Sequence, residues 1–188
     1  AIEELRKAGL LGDGFDVIVR RGAGAYICGE ETALLNSLEG RRPVPRDRPP
    51  YPFSHGLFVW PSLIQNVETL AATPAIIARG PSWFRDAGGP KLYSVAGDVL
   101  SPGVFEAAMS VSLLPPAALG TALDFEAPRA HGAFLGSGAL IVLDRSRCVV
   151  RFALDAVRFF AEESCGKCFP CRIGTTRLRE RLEAAAHL

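Results

Sequence analysis

The stretch Glu163 to Arg172 reads ESCGKCFPCR and sets Cys165, Cys168 and Cys171 at even intervals of three. Two overlapping C-x-x-C units let one turn of backbone wrap a compact inorganic core, each thiolate reaching a different corner. Gly166 and Gly174 permit unusual backbone angles and Pro170 fixes one. Lys167 and Arg172 add positive charge, which favours the thiolate and offsets part of the charge of a thiolate-held centre. Three thiolates are an incomplete ligand set for most metal sites, so a fourth ligand has to be found. Cubane iron–sulfur clusters use four thiolates as a rule. A ferredoxin run would place the fourth cysteine four residues on, where this chain has Thr175, so that run is excluded. Zinc stays open, with His187 downstream as a fourth ligand. A redox dithiol leaves the third cysteine without a task. Three unligated buried cysteines fit poorly with regular spacing in a polar, glycine-containing turn.

A second constellation is GAGAYICGEETALL, from Gly22. A glycine loop ahead of a helix ordinarily suggests phosphate at the helix N-terminus. Here Glu30 and Glu31 open the helix; they complement its dipole and would repel a phosphate. Accepting hydrogen bonds from ribose hydroxyls or a nicotinamide amide suits them better. Plain N-terminal charge compensation is the alternative, and spacing by itself favours it. The run RRPVPRDRPPYP, Arg41 to Pro52, holds five prolines and four arginines, so it is an extended loop. Arg41, Arg42, Arg46 and Arg48 either attract an anionic dinucleotide or form a solvated face. Tyr51 reads as a half-buried loop tyrosine. No Ser/His/Asp nucleophile set is evident, and His55, His131 and His187 read as incidental, so no catalytic side chain is assigned.

The elements that position these groups follow from the pattern. Ile2 to Gly9 reads as a short amphipathic helix and Phe15 to Arg20 as a strand. Glu30 to Leu38 reads as a helix ended by Gly40. Strand, loop and helix in that order are an α/β signature. Ser62 to Ala78 reads as helical, interrupted near Pro74. The breakers from Asp86 to Pro90 mark a boundary. Short β pieces follow at Lys91 to Val95, Gly103 to Glu106 and Ala139 to Leu143. Ser146 to Glu163 is the clearest helix, with Phe152, Ala156, Phe159 and Phe160 on one face. Thr175 to Ala186 is a second, so the cysteines sit in the turn between two helices.

The totals bound what this machinery serves. The 188 residues are 48% hydrophobic and 22% charged, enough apolar material for a core. A net charge of +1 offers no global argument for nucleic acid. No apolar run reaches bilayer length, so direct membrane insertion is not expected. Five cysteines, three of them clustered, argue against a disulfide framework and for a reducing, cytoplasmic setting. The chain opens Ala-Ile-Glu inside what reads as a helix, which predicts a fragment.

Taken together, the motifs resemble one family. ESCGKCFPCRIGT resembles the cluster loop of the flavin- and NADH-binding subunits of complex I-type NADH dehydrogenases. It is equally similar to that of the diaphorase-type subunits of NAD-reducing hydrogenases and NAD-dependent formate dehydrogenases. The run Gly22 to Leu34, the run Gln65 to Leu70 (QNVETL) and Leu135 to Gly138 (LGSG) agree with it, in the family's order. The resemblance implies FMN, NAD(H) and a 4Fe–4S cluster as cofactors. Hydride would pass between nicotinamide and flavin, and single electrons between flavin and cluster. It implies Cys165, Cys168 and Cys171 as cluster ligands, with the fourth a few dozen residues past the loop; the internal candidates, Cys28 in the glycine-loop motif and Cys148 near the start of the preceding helix, read as structural. It places Tyr26, Gly29, Glu30, Glu31, Gln65 and Asn66 along the flavin and NADH cavity, and Tyr51 as an aromatic stacking on the dinucleotide. Gln65 stands where complex I proteins more often carry asparagine, which points toward the formate dehydrogenase and hydrogenase branches. Other iron–sulfur subunits of a multisubunit oxidoreductase are the implied partners, the membrane being approached only through them.

The fold implied is α/β plus α. Residues 1–86 would be the C-terminal half of a flavin-binding α/β domain, 87–143 a shortened ubiquitin-like β-grasp module, and 144–188 the start of a helical iron–sulfur domain. Three departures accompany it. The family's flavin-phosphate glycine loop lies upstream of these residues. Val111-Ser112-Leu113 is followed too soon by Ala122 to Phe125 for a full module, and the fourth cluster cysteine is absent. The isolated chain is therefore expected to be inactive as an NADH oxidoreductase. A degenerate scaffold and a zinc-bound structural domain are the competing readings.

Overall fold

The computed structural model describes residues 1–22, 24–86, 89–108 and 138–186. In chain order its elements are α1 (Ile2–Lys7), α2 (Glu31–Leu38), α3 (Val67–Arg79), α4 (Pro81–Asp86), β1 (Pro90–Gly97), β2 (Gly103–Ala108), β3 (Ala139–Val142), α5 (Val149–Glu162) and α6 (Phe169–Ala186). Short 3₁₀ turns occupy Tyr26–Gly29 and Leu57–Val59. The chain divides into two compact units, Ala1–Ile64 with Val150–Leu188, and Gln65–Val149.

In the first unit α2 is the buried element: Thr32, Ala33, Leu35 and Asn36 all face inward. Its start is set by Glu30, an N-cap in extended conformation whose side chain accepts from the Thr32 and Ala33 N–H groups. Its end is set by Gly40 at φ +74°, with the Gly40 N–H on the Ser37 carbonyl and the Arg41 N–H on the Asn36 carbonyl. That is a Schellman closure, which needs the left-handed residue glycine supplies. Residues 41–52 then run without helix or strand, as the proline density predicts.

Two expectations fail in this unit. Phe15 to Arg20 forms no strand. A β-branched run becomes a strand only where a neighbour completes its ladder. Here side chains occupy the backbone and nearby groups instead: Arg6 holds Asp16 at 3.1 and 3.0 Å and the Val17 carbonyl at 3.1 Å. Helix α6 begins at Phe169, six residues before the expected start, so Cys171 lies in its first turn rather than in the loop. Pro170 is the reason: proline is well placed at a first helical turn, where its missing N–H costs nothing.

The second unit is built on a mixed three-stranded sheet in the order β2-β1-β3. β1 pairs antiparallel with β2, from Pro90↔Ala108 to Val95↔Gly103, and parallel with β3, from Ser94↔Ala139 to Gly97↔Val142. Gly97 sits at φ +93°, and a Cβ there would come within 2.1 Å of the Val142 carbonyl oxygen. Helix α3 starts at Val67, capped by Asn66, rather than at Ser62. It runs through Pro74 to Arg79 without the expected break. Pro74 forfeits one backbone bond, and the Thr73 hydroxyl donates to the Thr69 carbonyl at 3.0 Å in the same turn. Two carboxylates staple the unit. Glu68 accepts from the Leu92 N–H and Lys91 Nζ, both at 2.9 Å. Asp98 accepts from Arg147 at 3.0 and 2.7 Å and from the Asp144 N–H at 3.0 Å. The observed class is thus mixed α/β with a small sheet. The segment expected to run poorly patterned from Leu113 to Ala133, the Leu135 to Ser137 part of the LGSG motif, His131 and His187 lie outside the described residues.

Candidate functional site

The thiol loop leaves α5 at Glu163 and enters α6 at Phe169. Gly166 takes φ +79°, the turn that brings the loop back on itself. The Ser164 hydroxyl accepts from the Gly166 N–H at 3.3 Å and stands 3.5 Å from Cys171 Sγ. Arg172 donates to the Gly166 carbonyl at 3.3 Å, and Thr175 to the Cys171 carbonyl at 2.7 Å. Cys165, Cys168 and Cys171 all line one cavity of about 400 Å³. Tyr26, Ile27, Pro45 and Phe160 line the same cavity. Among the described residues no three His, Cys, Asp or Glu side chains gather tightly enough to hold a single metal ion. Soft thiol donors spread around a roomy, largely apolar cavity fit a polynuclear iron–sulfur centre.

Tyr26 links this cavity to the glycine-loop motif. Its N–H donates to Glu163 Oε2 at 2.9 Å. Its ring meets Phe159 and Phe160 edge-on, at centroid distances of 5.2 and 6.2 Å. Phe159 and Phe160, expected on one face with Phe152 and Ala156, are partly exposed, while Leu154 is the buried residue of α5.

The two glutamates divide their work. Glu30 Oε2 accepts from the Thr32 N–H, the Thr32 hydroxyl and the Ala33 N–H at 3.0, 2.6 and 2.8 Å. Its other oxygen meets Arg48 at 2.5 Å. Burial pushes this carboxyl up, but the Thr32 and Ala33 donors and Arg48 outweigh it and the net is downward. Glu31 is the more exposed of the pair, with Arg48 at 2.9 Å. Gly29 closes the 3₁₀ turn beside them. Tyr51 is 46% exposed, its ring stacked on Phe53 at 5.6 Å. Gln65 and Asn66 belong to the second unit, where Asn66 Oδ1 accepts from the Glu68 and Thr69 N–H groups at 2.8 and 3.3 Å.

The arginine-rich segment is the part that sequence reasoning undervalued. Arg46 is neither bait for an anion nor solvated. Its N–H donates to Thr32 Oγ1, its Nε to Asn36 Oδ1 and its Nη1 to the Gly56 carbonyl, at 2.8, 2.8 and 3.0 Å. Nη2 lies 2.8 Å from Glu39 Oε1 without hydrogen-bond alignment, a charge contact rather than a directed bond. Arg42 donates to the Cys165 carbonyl at 3.2 Å. Lys167 donates to the Pro45 carbonyl and to Asp47 Oδ1, both at 2.7 Å. The available signal was the proline density of the segment, which fixes enough backbone angles for it to act as a part rather than a tether.

Known proteins match this arrangement. Residues 1–75 match the family model described as the Nuo51 FMN-binding domain. Residues 151–187 match the NADH-ubiquinone oxidoreductase-F iron-sulfur binding region. An NADH-quinone oxidoreductase subunit of Rhizobium meliloti (strain 1021) is 43% identical over 215 aligned residues, covering 94% of this chain and 51% of the relative. The corresponding NADH-quinone oxidoreductase subunit of Mycobacterium tuberculosis (strain ATCC 25618 / H37Rv) is 42% identical over 226, covering 97% of this chain and 51% of the relative. The chain spans about half the length of the curated relatives it matches. Both alignments are longer than the 188-residue chain, so each relative carries residues within the matched stretch that this chain lacks. The crystal structure of an NAD+-reducing NiFe-hydrogenase in the air-oxidized state matches with a TM-score of 0.85 and 35% identity. That match covers 98% of this chain and 36% of the hydrogenase chain.

Proposed function

We propose that this chain, a relative of the flavin- and NADH-binding iron–sulfur subunits of complex I-type enzymes, is part of an NADH-linked oxidoreductase. In this reading it serves electron transfer between NAD(H), FMN and a 4Fe–4S cluster. The observation that carries the reading is the shared cavity: the thiols of Cys165, Cys168 and Cys171 face Tyr26, Ile27 and Pro45, from the glycine-loop motif and the segment after α2. When bound, flavin supplies hydride and one-electron chemistry and the cluster supplies one-electron chemistry. The chain's own contribution is to hold, orient and shield. The three cysteines provide thiolates, and Phe160, Ile27 and Pro45 give the same cavity an apolar lining. Glu30 shapes the first turn of α2, which leaves Glu31 as the better placed acceptor for a ribose or nicotinamide donor. Tyr51 offers a ring face to a dinucleotide, and Gly29, Gln65 and Asn66 line the dinucleotide side by family position.

Within this reading residues 1–86 are the latter half of a flavin domain and 144–188 the start of a cluster domain. Residues 87–143 are a pared-down β-grasp, compatible with a β1–β2 hairpin flanked by a parallel β3. Other iron–sulfur subunits would dock on the assembled protein. Among the described residues no helix is long and apolar enough to cross a membrane, and a cytoplasmic place with attachment through partners suits that.

Anaerobic reconstitution with ferrous iron and sulfide, followed by metal and acid-labile sulfide analysis, tests the reading. Iron and sulfide should bind in matching amounts, and Cys168→Ser should abolish most of that binding. Zinc uptake alone, or no metal at all, would sink it in favour of a structural zinc domain or a scaffold.

A further inference from the structure

We infer that Lys167 is a positioning residue that fastens the thiol loop to residues 42–48, and that this segment is a strap setting where the thiols stand relative to Glu30 and Glu31. The inference rests on the proposed cofactor reading for its purpose but not for its geometry. Lys167 lies between two of the three cysteines, where an ammonium would ordinarily be read as a countercharge. The structure aims it elsewhere. Both its bonds go to the strap, to the Pro45 carbonyl and to Asp47, and the Asp47 carboxylate neutralises it there. Arg42 returns the connection by donating from the strap to the Cys165 carbonyl.

The far end of the strap is fastened as firmly. Arg46 ties it to Thr32 and Asn36 of α2, and Arg48 meets the carboxylates of both Glu30 and Glu31. Pro43, Pro45 and Pro49 fix φ along the way, so the segment passes displacement on rather than absorbing it. Residues more than a hundred positions apart in sequence are thus joined through one short segment. A strap of this kind would hold a loop-borne cluster at one separation from the flavin and dinucleotide side, on which single-electron exchange between flavin and cluster depends.

The test uses Lys167→Met, Lys167→Arg, Asp47→Asn and Arg48→Gln in the whole chain. Amide hydrogen exchange without cofactors is the first readout. K167M should raise exchange together in residues 41–48 and 163–168, by about threefold, as expected for a partly exposed ion pair. K167R should restore it. R48Q, distant from the cysteines, should also raise exchange at 163–168. The second readout is the midpoint potential of the reconstituted cluster. K167M, D47N and R48Q should all move it, and K167R should not. If Lys167 is instead a countercharge, R48Q will leave the potential alone, D47N will shift it without touching exchange, and the inference fails. It also fails if K167M loosens only residues 163–168. A chain that binds no iron and sulfide but keeps the linked exchange would overturn the cofactor reading while leaving the strap in place.

Discussion

The two compact units staple their backbone with different mixtures of charge. In the sheet unit, carboxylates staple backbone: Glu68 receives the Leu92 N–H, and Asp98 receives the Asp144 N–H. Around the thiol loop, cations join in: Arg42 reaches the Cys165 carbonyl, Lys167 the Pro45 carbonyl and Arg46 the Gly56 carbonyl, beside the Glu163 carboxylate on the Tyr26 N–H. The difference matters wherever acid is present. A carboxylate staple is lost when it gains a proton, whereas a cation donating to a carbonyl has nothing to gain.

Three measurements break or sharpen that contrast. The largest effect is expected from Arg46→Met. It removes two side-chain hydrogen bonds and leaves Glu39, whose side chain is 5% exposed, with only the more distant Arg41 at 3.5 Å. A loss of about 3 kcal/mol follows for a half-broken buried pair, read as a lower urea midpoint with α2 exchanging first. A loss below about 1 kcal/mol would place Arg46 among ordinary surface arginines. Next is Gly97→Ala. It forces a side chain into a left-handed backbone against the Val142 carbonyl and should cost about 2 kcal/mol, seen in the sheet unit with the alkylation rates of Cys165 and Cys168 unchanged. Parallel changes in both units would mean that the contrast is not independent in energy.

The smallest effect concerns pH. The Arg147 guanidinium and the Asp144 N–H hold the Asp98 carboxyl down from 3.8 to about 2. A carboxyl depressed in the folded state contributes its stabilisation above the unfolded value and loses it as pH falls through the folded one. Exchange in β1 and β3 should therefore rise as pH drops from 3.8 toward about 2. Asp98→Asn should flatten that acid response in the sheet unit and leave the thiol loop as it was. An equal acid response in both units would erase the distinction between the two kinds of staple.

Local chemistry was readable wherever a side chain acts on its own neighbourhood. The end of α2 at Gly40, the loop of prolines after it, the three β pieces and the cysteine turn all follow from residue types within a few positions. The failures share a cause. Phe15 to Arg20 has strand composition, yet strand formation depends on a partner that composition does not name. The early start of α6 turned on whether Pro170 stood before the helix or in its first turn, which periodicity cannot decide. Arg42, Arg46, Arg48 and Lys167 were read as charge because their targets are carbonyls and caps far away in sequence. A backbone carbonyl leaves no mark in a list of residues. Glu30 shows the same limit from the other side: its family position suggested a ligand contact, and both its oxygens are engaged by the protein.

The placement of Cys171 in the first turn of α6, with Cys165 and Cys168 in the loop, has a mechanical consequence. One thiol is a post set in regular structure, and the other two are on a hinge. In the cofactor reading proposed above, a centre assembling here would meet one thiol already in place, and only the hinge would give up conformational freedom. Any misfit in the size of that centre is then taken up by rotation at Gly166 rather than by bending a helix.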